Sequence, residues 1–338
     1  MKITTIERHI LDQQRKFPEA SGGFSGLLYD VALAAKIISK EVNRAGLVNI
    51  LGSTGDINVQ GELVQKLDRF ANELFINILK QGGKVCAIAS EEHEKIIEVH
   101  DEYLIGNYAM NLDPLDGSSN IDANVSIGTI FSIHRRISSG KAGVERDCLQ
   151  KGDNQLGAGY VIYGSSTVLV YSTGQGVFGF TLDPTVGEFI LSHDSILIPK
   201  TCKIYSVNEG NFVYWDHGTQ RYIQYLKEKD PTTGRPFSSR YVGSLVSDFH
   251  RNLLYGGIFL YPADHKDPKL PKGKLRLLFE AAPIAFIAEQ AGGAASTGRK
   301  RILEVEPEEL HQRVPLIVGN TAEVRRYEDF LKRYGPTG

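Results

Sequence analysis

Three cysteines in 338 residues, Cys86, Cys148 and Cys202, lie far apart, form no CxxC pair and are odd in number. That argues against a disulfide scaffold and a thiolate zinc site, and for a reducing compartment. No stretch approaches the ~20 apolar residues of a membrane span. The first segment, 1–17, is amphipathic and charged and lacks the apolar core of a signal peptide. Neither charge sign is in excess, since 38 Lys and Arg stand against 40 Asp and Glu for a net charge of -2. Nucleic acid and membrane are therefore not expected partners, a cytoplasmic location is expected, and anion binding has to be local. Walker and GxSxG patterns are missing, as are internal repeats and low-complexity tracts. His134, His193, His250, His265 and His311 show no ligand or triad spacing.

What is present is ordinary in bulk, 41% hydrophobic and 23% charged, in a chain long enough for two domains. Helical spacing predicts a helix over 4–17 and a second with Leu27, Val31, Ala35, Ile38 and Val42 inward, capped by Ser25 and ended by Gly46. The polar, Gly-rich stretch 49–61 reads as a mobile loop. A third helix buries Leu63, Leu67, Phe70, Leu74 and Ile78 and stops at Gly82-Gly83, with Glu62 and Asp68 on its surface. Strands over 85–89, 108–112, 124–135, 158–162, 167–171, 177–182 and 188–191 predict a large, mostly meandering sheet. Pro199-Lys200-Thr201 marks a junction between a helical and mixed-sheet domain, 1–199, and an α/β domain, 200–338. In the latter, strands over 203–207, 257–261 and 316–318 alternate with helices over 219–229, 244–254 (capped by Ser244), 276–290 and a last one capped by Thr321. The fold class is α/β, or layered α+β.

One stretch concentrates chemistry: Asn111-Leu112-Asp113-Pro114-Leu115-Asp116-Gly117-Ser118-Ser119-Asn120-Ile121-Asp122. Pro114 fixes its own φ and pushes Asp113 toward an extended conformation, while Gly117 permits a sharp turn and Ser118, Ser119 and Asn120 suit a helix start. Two carboxylates and a carbonyl then face free backbone amides. Hard oxygens suit Mg²⁺, and free amides at a helix start suit phosphate. An Asp-rich surface turn accounts for the same string taken alone.

Other groups could complete such a site. Ser90-Glu91-Glu92 ends a strand with adjacent carboxylates, which either sit solvated in a turn or need a cation or proton to relieve their repulsion. Arg240-Tyr241, Tyr261, Lys272, Lys274 and Arg276 gather cations and hydroxyls suited to a phosphate ester on a sugar; a solvated basic loop explains part of the same set. Glu280, one helical turn past Arg276 in an apolar run, is either an ion-pair partner or a ligand.

Together these pieces closely resemble class I fructose-1,6-bisphosphatase. The matching runs are Ser90-Glu91-Glu92, DPLDGSSNID at 113–122, VSIGTIF at 125–131, SVNEG at 206–210, RYVGS at 240–244, YGGIFLYPA at 255–263, KGKLRLLFE at 272–280 and AGG at 291–293. The resemblance implies a layered αβαβα subunit and Mg²⁺-dependent hydrolysis of fructose 1,6-bisphosphate to fructose 6-phosphate, as in gluconeogenesis. It implies two or three Mg²⁺ per subunit, with Mn²⁺ as a substitute, held by Glu91, Asp113, the Leu115 carbonyl, Asp116 and Glu280. Glu62, where the family often has Asp, is the candidate for a further metal position. Glu92 and Asp68 would orient and deprotonate the attacking water. Asp116, Gly117, Ser118 and Ser119 would receive the 1-phosphate, and Asn208, Tyr241, Tyr261 and Lys274 the sugar and 6-phosphate. An Arg at the position of Arg240 reaches in from a neighbouring subunit, which implies an oligomer, most often a homotetramer.

The chain departs from the family pattern at several points. Asn211 replaces a Tyr of the vertebrate 6-phosphate site. One extra residue lies between Ser90 and Asp113, leaving Glu91 and Glu92 both open as the direct ligand. Vertebrate members bind AMP near the first two helices; Gly22, Ser25, Tyr108 and Arg135 match that pattern, whereas Asn107 replaces a Lys and Ser21-Gly22-Gly23 replaces Thr-Gly-Glu. Sedoheptulose 1,7-bisphosphate as substrate, or a sugar-phosphate sensor without catalysis, are the alternative functions.

Overall fold

A computed structural model describes residues 3–15, 22–44, 53–57, 63–99, 103–266 and 273–336. Thr5 starts α1 (Ile6–Gln14) by accepting the amide of Arg8. The second helix, α2 (Gly23–Val42), starts on Gly22, whose φ of +79° is a left-handed entry, and not on Ser25. Ser25 lies inside the first turn and donates its hydroxyl to Gln14 Oε1 at 2.6 Å, tying the second helix to the first. The predicted stop at Gly46 lies outside the described residues.

Where the Gly-rich composition predicted a loop, β1 (Ser53–Ile57) pairs antiparallel with β2 (Leu63–Gln65). Strand pairing uses backbone groups, so it does not require the apolar alternation that the stretch lacks. Leu63 consequently belongs to a strand, and α3 (Lys66–Gln81) begins later than its apolar spacing suggested. Its buried face is Leu67, Asp68, Ala71, Asn72, Phe75 and Leu79, with Phe70, Leu74 and Ile78 partly buried beside it. Asp68 is therefore an interior residue, against the surface position expected.

The strands β3 (Val85–Ser90), β4 (Ile97–Glu98), β5 (Tyr108–Asp116), β6 (Ile127–Arg135), β7 (Gln155–Tyr163), β8 (Thr167–Ser172), β9 (Val177–Asp183) and β10 (Glu188–His193) form one sheet. Its order, β10-β9-β8-β7-β6-β5-β3-β4, is an antiparallel meander from β5 outward, with β3 parallel to β5. The short α4 (Glu145–Cys148) follows β6.

The rest of the chain supplies β11 (Ile204–Ser206), α5 (His217–Lys227), β12 (Ser238–Ser239), α6 (Leu245–Tyr255), β13 (Gly257–Tyr261), β14 (Leu275–Arg276), α7 (Ala282–Gln290), β15 (Ala294–Ser296), β16 (Arg313–Val314), β17 (Leu316–Gly319) and α8 (Thr321–Tyr334). The second sheet runs β12-β11-β13-β17-β15. β11 and β13 are parallel, as the βαβ reading requires, whereas β17 is antiparallel to both of its neighbours. Ser244 caps α6 by accepting the Ser247 amide. The cap of α8 is Asn320, which accepts from Ala322, and Thr321 is its first helical residue. The helix expected over 276–290 opens instead with a π turn at Leu277–Ala281 before α7.

Three apolar clusters stack these elements into five layers. Leu27, Val31 and Phe75 press on Ile88, Met110 and Phe131, covering one face of the large sheet. Phe249, Ile284 and Ile287 of α6 and α7 lie between Tyr160 and Val170 of that sheet and Phe259 and Val318 of the small one. Tyr222 and Leu226 of α5, with Tyr327 of α8, cover the far face at Tyr205, Ile258 and Ile317. Burial of each such side chain contributes roughly 1.5–3 kcal/mol. The result is the αβαβα order that the resemblance implied. All three cysteines are free and buried, and among the described residues no helix is long and apolar enough to cross a membrane.

Candidate active site

The site begins with a fault in strand pairing. Asp113 faces Ile130 and Asp116 faces Gly128, so three steps along β5 oppose two along β6. In a regular strand, residues three apart point to opposite faces; the one-residue bulge brings these two carboxylates to the same side. Pro114 has no N–H to donate, and the Leu115 amide turns to Asp113 Oδ1 at 3.0 Å. Past Asp116 the chain reverses at Gly117, with φ of +78°, into a single 3₁₀ turn, Ser118–Asn120. An added Cβ at Gly117 would lie 3.1 Å from Ser244 Cβ, so both conformation and space favour glycine. Asn120 Nδ2 donates to the Gly243 carbonyl at 3.1 Å and joins this turn to the loop before α6.

Asp113, Asp116 and Glu280 each bring one carboxylate oxygen into a group whose members lie within 4.8 Å of one another. All three are buried, as is Glu91. Asp116 Oδ2 accepts from Ser244 Oγ at 3.1 Å and from the Val246 amide at 3.0 Å, at the positive end of α6. Glu280 arrives on the π turn, a geometry that folds its Oε2 back onto the Arg276 amide at 2.6 Å. Arg276 Nη1 is 2.7 Å from Glu91 Oε1 and 3.7 Å from Glu280 Oε2. Arg276 thus faces the carboxylates and not the sugar-phosphate cations with which its sequence position grouped it. A buried guanidinium needs charged partners, and the acidic cluster supplies them. For Glu280 both readings hold together, since it is paired with Arg276 and stands in the cluster.

The electrostatics follow from burial. Desolvation, then repulsion from Glu91, Asp116 and Glu280, pushes Asp113 well above the carboxylate range. Asp116 is pushed up to about 7 by burial and by Glu280, although the Val246 amide and the Ser244 hydroxyl oppose the shift. Glu280 is pushed up to about 7 by burial and by Glu91, against the pull of Arg276. Asp68, on the first turn of α3, is pushed up to about 8 by burial and by Glu92, with hydrogen bonds from Gln65 and Ser118 opposing the shift. Four buried carboxylates against one contacting guanidinium leave an excess of negative charge among the described residues. The donors are hard oxygens, so a divalent cation of the Mg²⁺ type fits the group.

Glu91 reaches Arg276 and adds to the repulsion on Asp113 and Glu280, whereas Glu92 bears chiefly on Asp68. Glu62 lies outside the described residues. Of the residues expected to hold the sugar, Asn208 and Tyr261 line a small cleft with Asn211, Trp215 and Asp264. Tyr241 packs close enough to Tyr261 to raise the Tyr261 hydroxyl pKa further, after burial. Lys274 is exposed, with its carbonyl taken by Arg313 Nη1 at 3.0 Å. Arg240 is also exposed, its Nη1 donating to the Ser239 carbonyl at 2.9 Å. Neither cation lines the cleft.

Three supports escaped the sequence reading. Asp248 accepts the Val242 and Gly243 amides at 3.0 Å and so shapes the loop carrying Arg240 and Tyr241; its signal was a carboxylate inside the apolar run of α6. Asn72 accepts from Ser90 Oγ at 2.7 Å, just before Glu91. Thr129 donates to the Pro114 carbonyl at 2.8 Å. A separate cavity of about 720 Å³, between α1, α2 and the ends of β5 and β6, is lined by Gly22, Ser25, Tyr108 and Arg135 together with Asn107 and Lys84.

Known proteins agree with this geometry along the whole chain. The fructose-1-6-bisphosphatase N-terminal domain matches residues 4–194, and the C-terminal domain matches residues 198–332. The class 1 fructose-1,6-bisphosphatase of Chlorobium luteolum is 58% identical over 97% of this chain and 98% of its own. That of Chloroherpeton thalassium is 59% identical over 97% and 93%. Fructose-1,6-bisphosphatase of Leishmania major in holo form has a TM-score of 0.90 at 44% identity, covering 97% of this chain and 99% of that one. With two domain matches in sequence and a shared fold over nearly its full length, this chain belongs to the fructose-1,6-bisphosphatase family.

Proposed function

We propose that the protein hydrolyses D-fructose 1,6-bisphosphate to D-fructose 6-phosphate and phosphate, using Mg²⁺, two or three ions per subunit, with Mn²⁺ as a substitute. The observation that carries this reading is the buried group Asp113, Asp116 and Glu280 beside the turn at Gly117. Glu91, Asp113, the Leu115 carbonyl, Asp116 and Glu280 would hold the metal, with Glu62 as a further ligand. A Mg²⁺ held there would supply an activated water and offset charge on the phosphoryl group. Gly117, Ser118 and Ser119 would bind and orient the 1-phosphate for in-line attack. Asp68, its pKa raised to about 8 and Glu92 beside it, takes the water's proton. Asn208, Tyr241, Tyr261 and Lys274 grip the unreacted end, so that remote binding energy fixes the reacting phosphorus.

In this reading residues 1–199 carry most of the metal chemistry and 200–338 the sugar grip, with Glu280 crossing from the second to the first. The exposed Arg240 serves a neighbouring subunit of a homotetramer. Neither alternative is favoured: the relatives named above are all fructose-1,6-bisphosphatases, and a sensor has no use for a cluster of repelling carboxylates. The cavity near α1 and α2 is the place for AMP as an inhibitor, supported by Gly22, Ser25, Tyr108 and Arg135 converging there.

Phosphate release from fructose 1,6-bisphosphate should depend on Mg²⁺; no release at any Mg²⁺ concentration contradicts the proposal. Losing even an outer-shell partner of a metal ligand costs about 10–100-fold, so Asp116→Asn should lower kcat by at least roughly 100-fold. It should fold normally, because Asn keeps an acceptor for Ser244 and Val246 and removes a repelling charge; near-normal turnover rules out Asp116 as a ligand.

A carboxyl whose folded pKa lies above its unfolded one binds protons more tightly in the fold. These groups therefore add stability to the metal-free protein as pH falls through about 8 for Asp68 and about 7 for Asp116 and Glu280. Metal competes with those protons, so Mg²⁺ should raise Tm more above this range than below it. An equal or larger rise at the lower pH contradicts the cluster as the metal site. For AMP, titration at saturating Mg²⁺ should depress phosphate release, and a flat curve retires that role.

A further inference from the structure

The bulge between Asp113 and Asp116 decides where both carboxylates point, yet the strand ladder does little to hold it. Pro114 cannot donate, and the Leu115 amide is turned to Asp113. What meets the bulge from the neighbouring strand is a side chain, Thr129 of β6, whose Oγ1 donates to the Pro114 carbonyl at 2.8 Å. Tyr163 of β7 places its hydroxyl 2.9 Å from the same Oγ1. Thr129 has one hydroxyl proton and the Pro114 carbonyl can only accept, so the order is fixed. Tyr163 donates to Thr129, and Thr129 donates to Pro114.

This relay crosses three strands and is sealed from water: Thr129 is 0% and Tyr163 3% exposed. Its frame is stiff. At Gly128, the residue facing Asp116 across the ladder, an added Cβ would lie 2.5 Å from the Val161 carbonyl and 2.8 Å from the methyl groups of Val246. β6 is therefore wedged between β7 and α6, the helix whose first turn also holds Asp116. The backbone of β6 beside Thr129 is thus closely confined, and the Thr129 hydroxyl meets the bulge from that confined strand.

We infer that Thr129, backed by Tyr163, is a positioning residue for the metal carboxylates, setting the spacing of Asp113 and Asp116 through the Pro114 carbonyl. The inference rests on the metal reading of that cluster given above. Its consequence is selective. Asn208, Tyr241 and Tyr261, proposed for the unreacted end of the substrate, stand on other elements, so loss of the Thr129 hydroxyl should reach metal affinity far more than the grip on that end.

The test compares wild type with Thr129→Val, which keeps the shape and removes the hydroxyl, Thr129→Ser, which restores the hydroxyl, and Tyr163→Phe. Mn²⁺ binding to metal-free protein is measured by calorimetry without substrate, and phosphate release is measured across Mg²⁺ and bisphosphate concentrations. Thr129→Val should weaken Mn²⁺ binding about tenfold or more and raise the half-saturating Mg²⁺ by a similar factor. KM for the bisphosphate at saturating Mg²⁺ should stay within about twofold. Thr129→Ser should return the metal affinity, and Tyr163→Phe should show a smaller shift in the same direction. A Val variant that is less stable but binds Mn²⁺ as tightly as wild type makes Thr129 a packing residue and overturns the inference. Should that variant fail to fold, unchanged Mn²⁺ affinity in Tyr163→Phe overturns it equally. A wild type that binds Mn²⁺ yet releases no phosphate, with Thr129→Val weakened, supports the positioning role and sinks the functional reading instead.

Discussion

Carboxylates repel one another most where water cannot screen them, and Asp113, Asp116, Glu280 and Glu91 are brought together in the interior. Arg276, in contact with Glu91 and Glu280, offsets part of that repulsion. The rest is expressed as carboxyls that hold protons up to about neutral pH. A globular fold gains no stability from such an arrangement, and its hard oxygen donors suit a divalent cation. Much of the surrounding architecture keeps the four groups from moving apart.

Each carboxylate comes from a different local device. A bulge in β5 turns Asp113 and Asp116 to one side, the end of the parallel strand β3 delivers Glu91, and a π turn before α7 delivers Glu280. These devices can coexist because the layers on either side are well packed, with α1 to α3 on one face of the large sheet and α6 and α7 on the other. The first turn of α6 has two tasks. Its amides and Ser244 hold Asp116, while the loop before it, shaped by Asp248, carries Tyr241 toward Tyr261. A fixed relation between the carboxylate group and the cleft at Tyr261 is thereby built into the interface of the two sheets.

The carboxylate pair and the turn beside it were legible in the sequence because DPLDGSSNID holds Asp113, Asp116 and Gly117 within one short run. Helix and strand order was legible as well, since periodicity reports burial directly. Orientation was not. Arg276 sits among cations in sequence, and only the pairing of β14 with β16 and its burial beside Glu91 reveal that it faces acids. Asp68 adjoins Leu67 on a helix that starts later than its apolar spacing suggests, which moves it from surface to interior. The bulge itself is a relation between β5 and β6, and no local signal in either strand states their register. Pro114 marked a place where the ladder loses a donor, but the residue that answers it, Thr129, is recognisable only once the strands are side by side.

The central claim is that the group formed by Asp113, Asp116, Glu280 and Glu91 is where a divalent metal sits. The most direct measurement is anomalous scattering from crystals of the full chain grown with Mn²⁺ and inorganic phosphate. The account predicts Mn²⁺ peaks bounded by these carboxylates, with phosphate against the amides of Gly117, Ser118 and Ser119. Strong Mn²⁺ peaks elsewhere, with Arg276 still closing an empty acidic group, would contradict it.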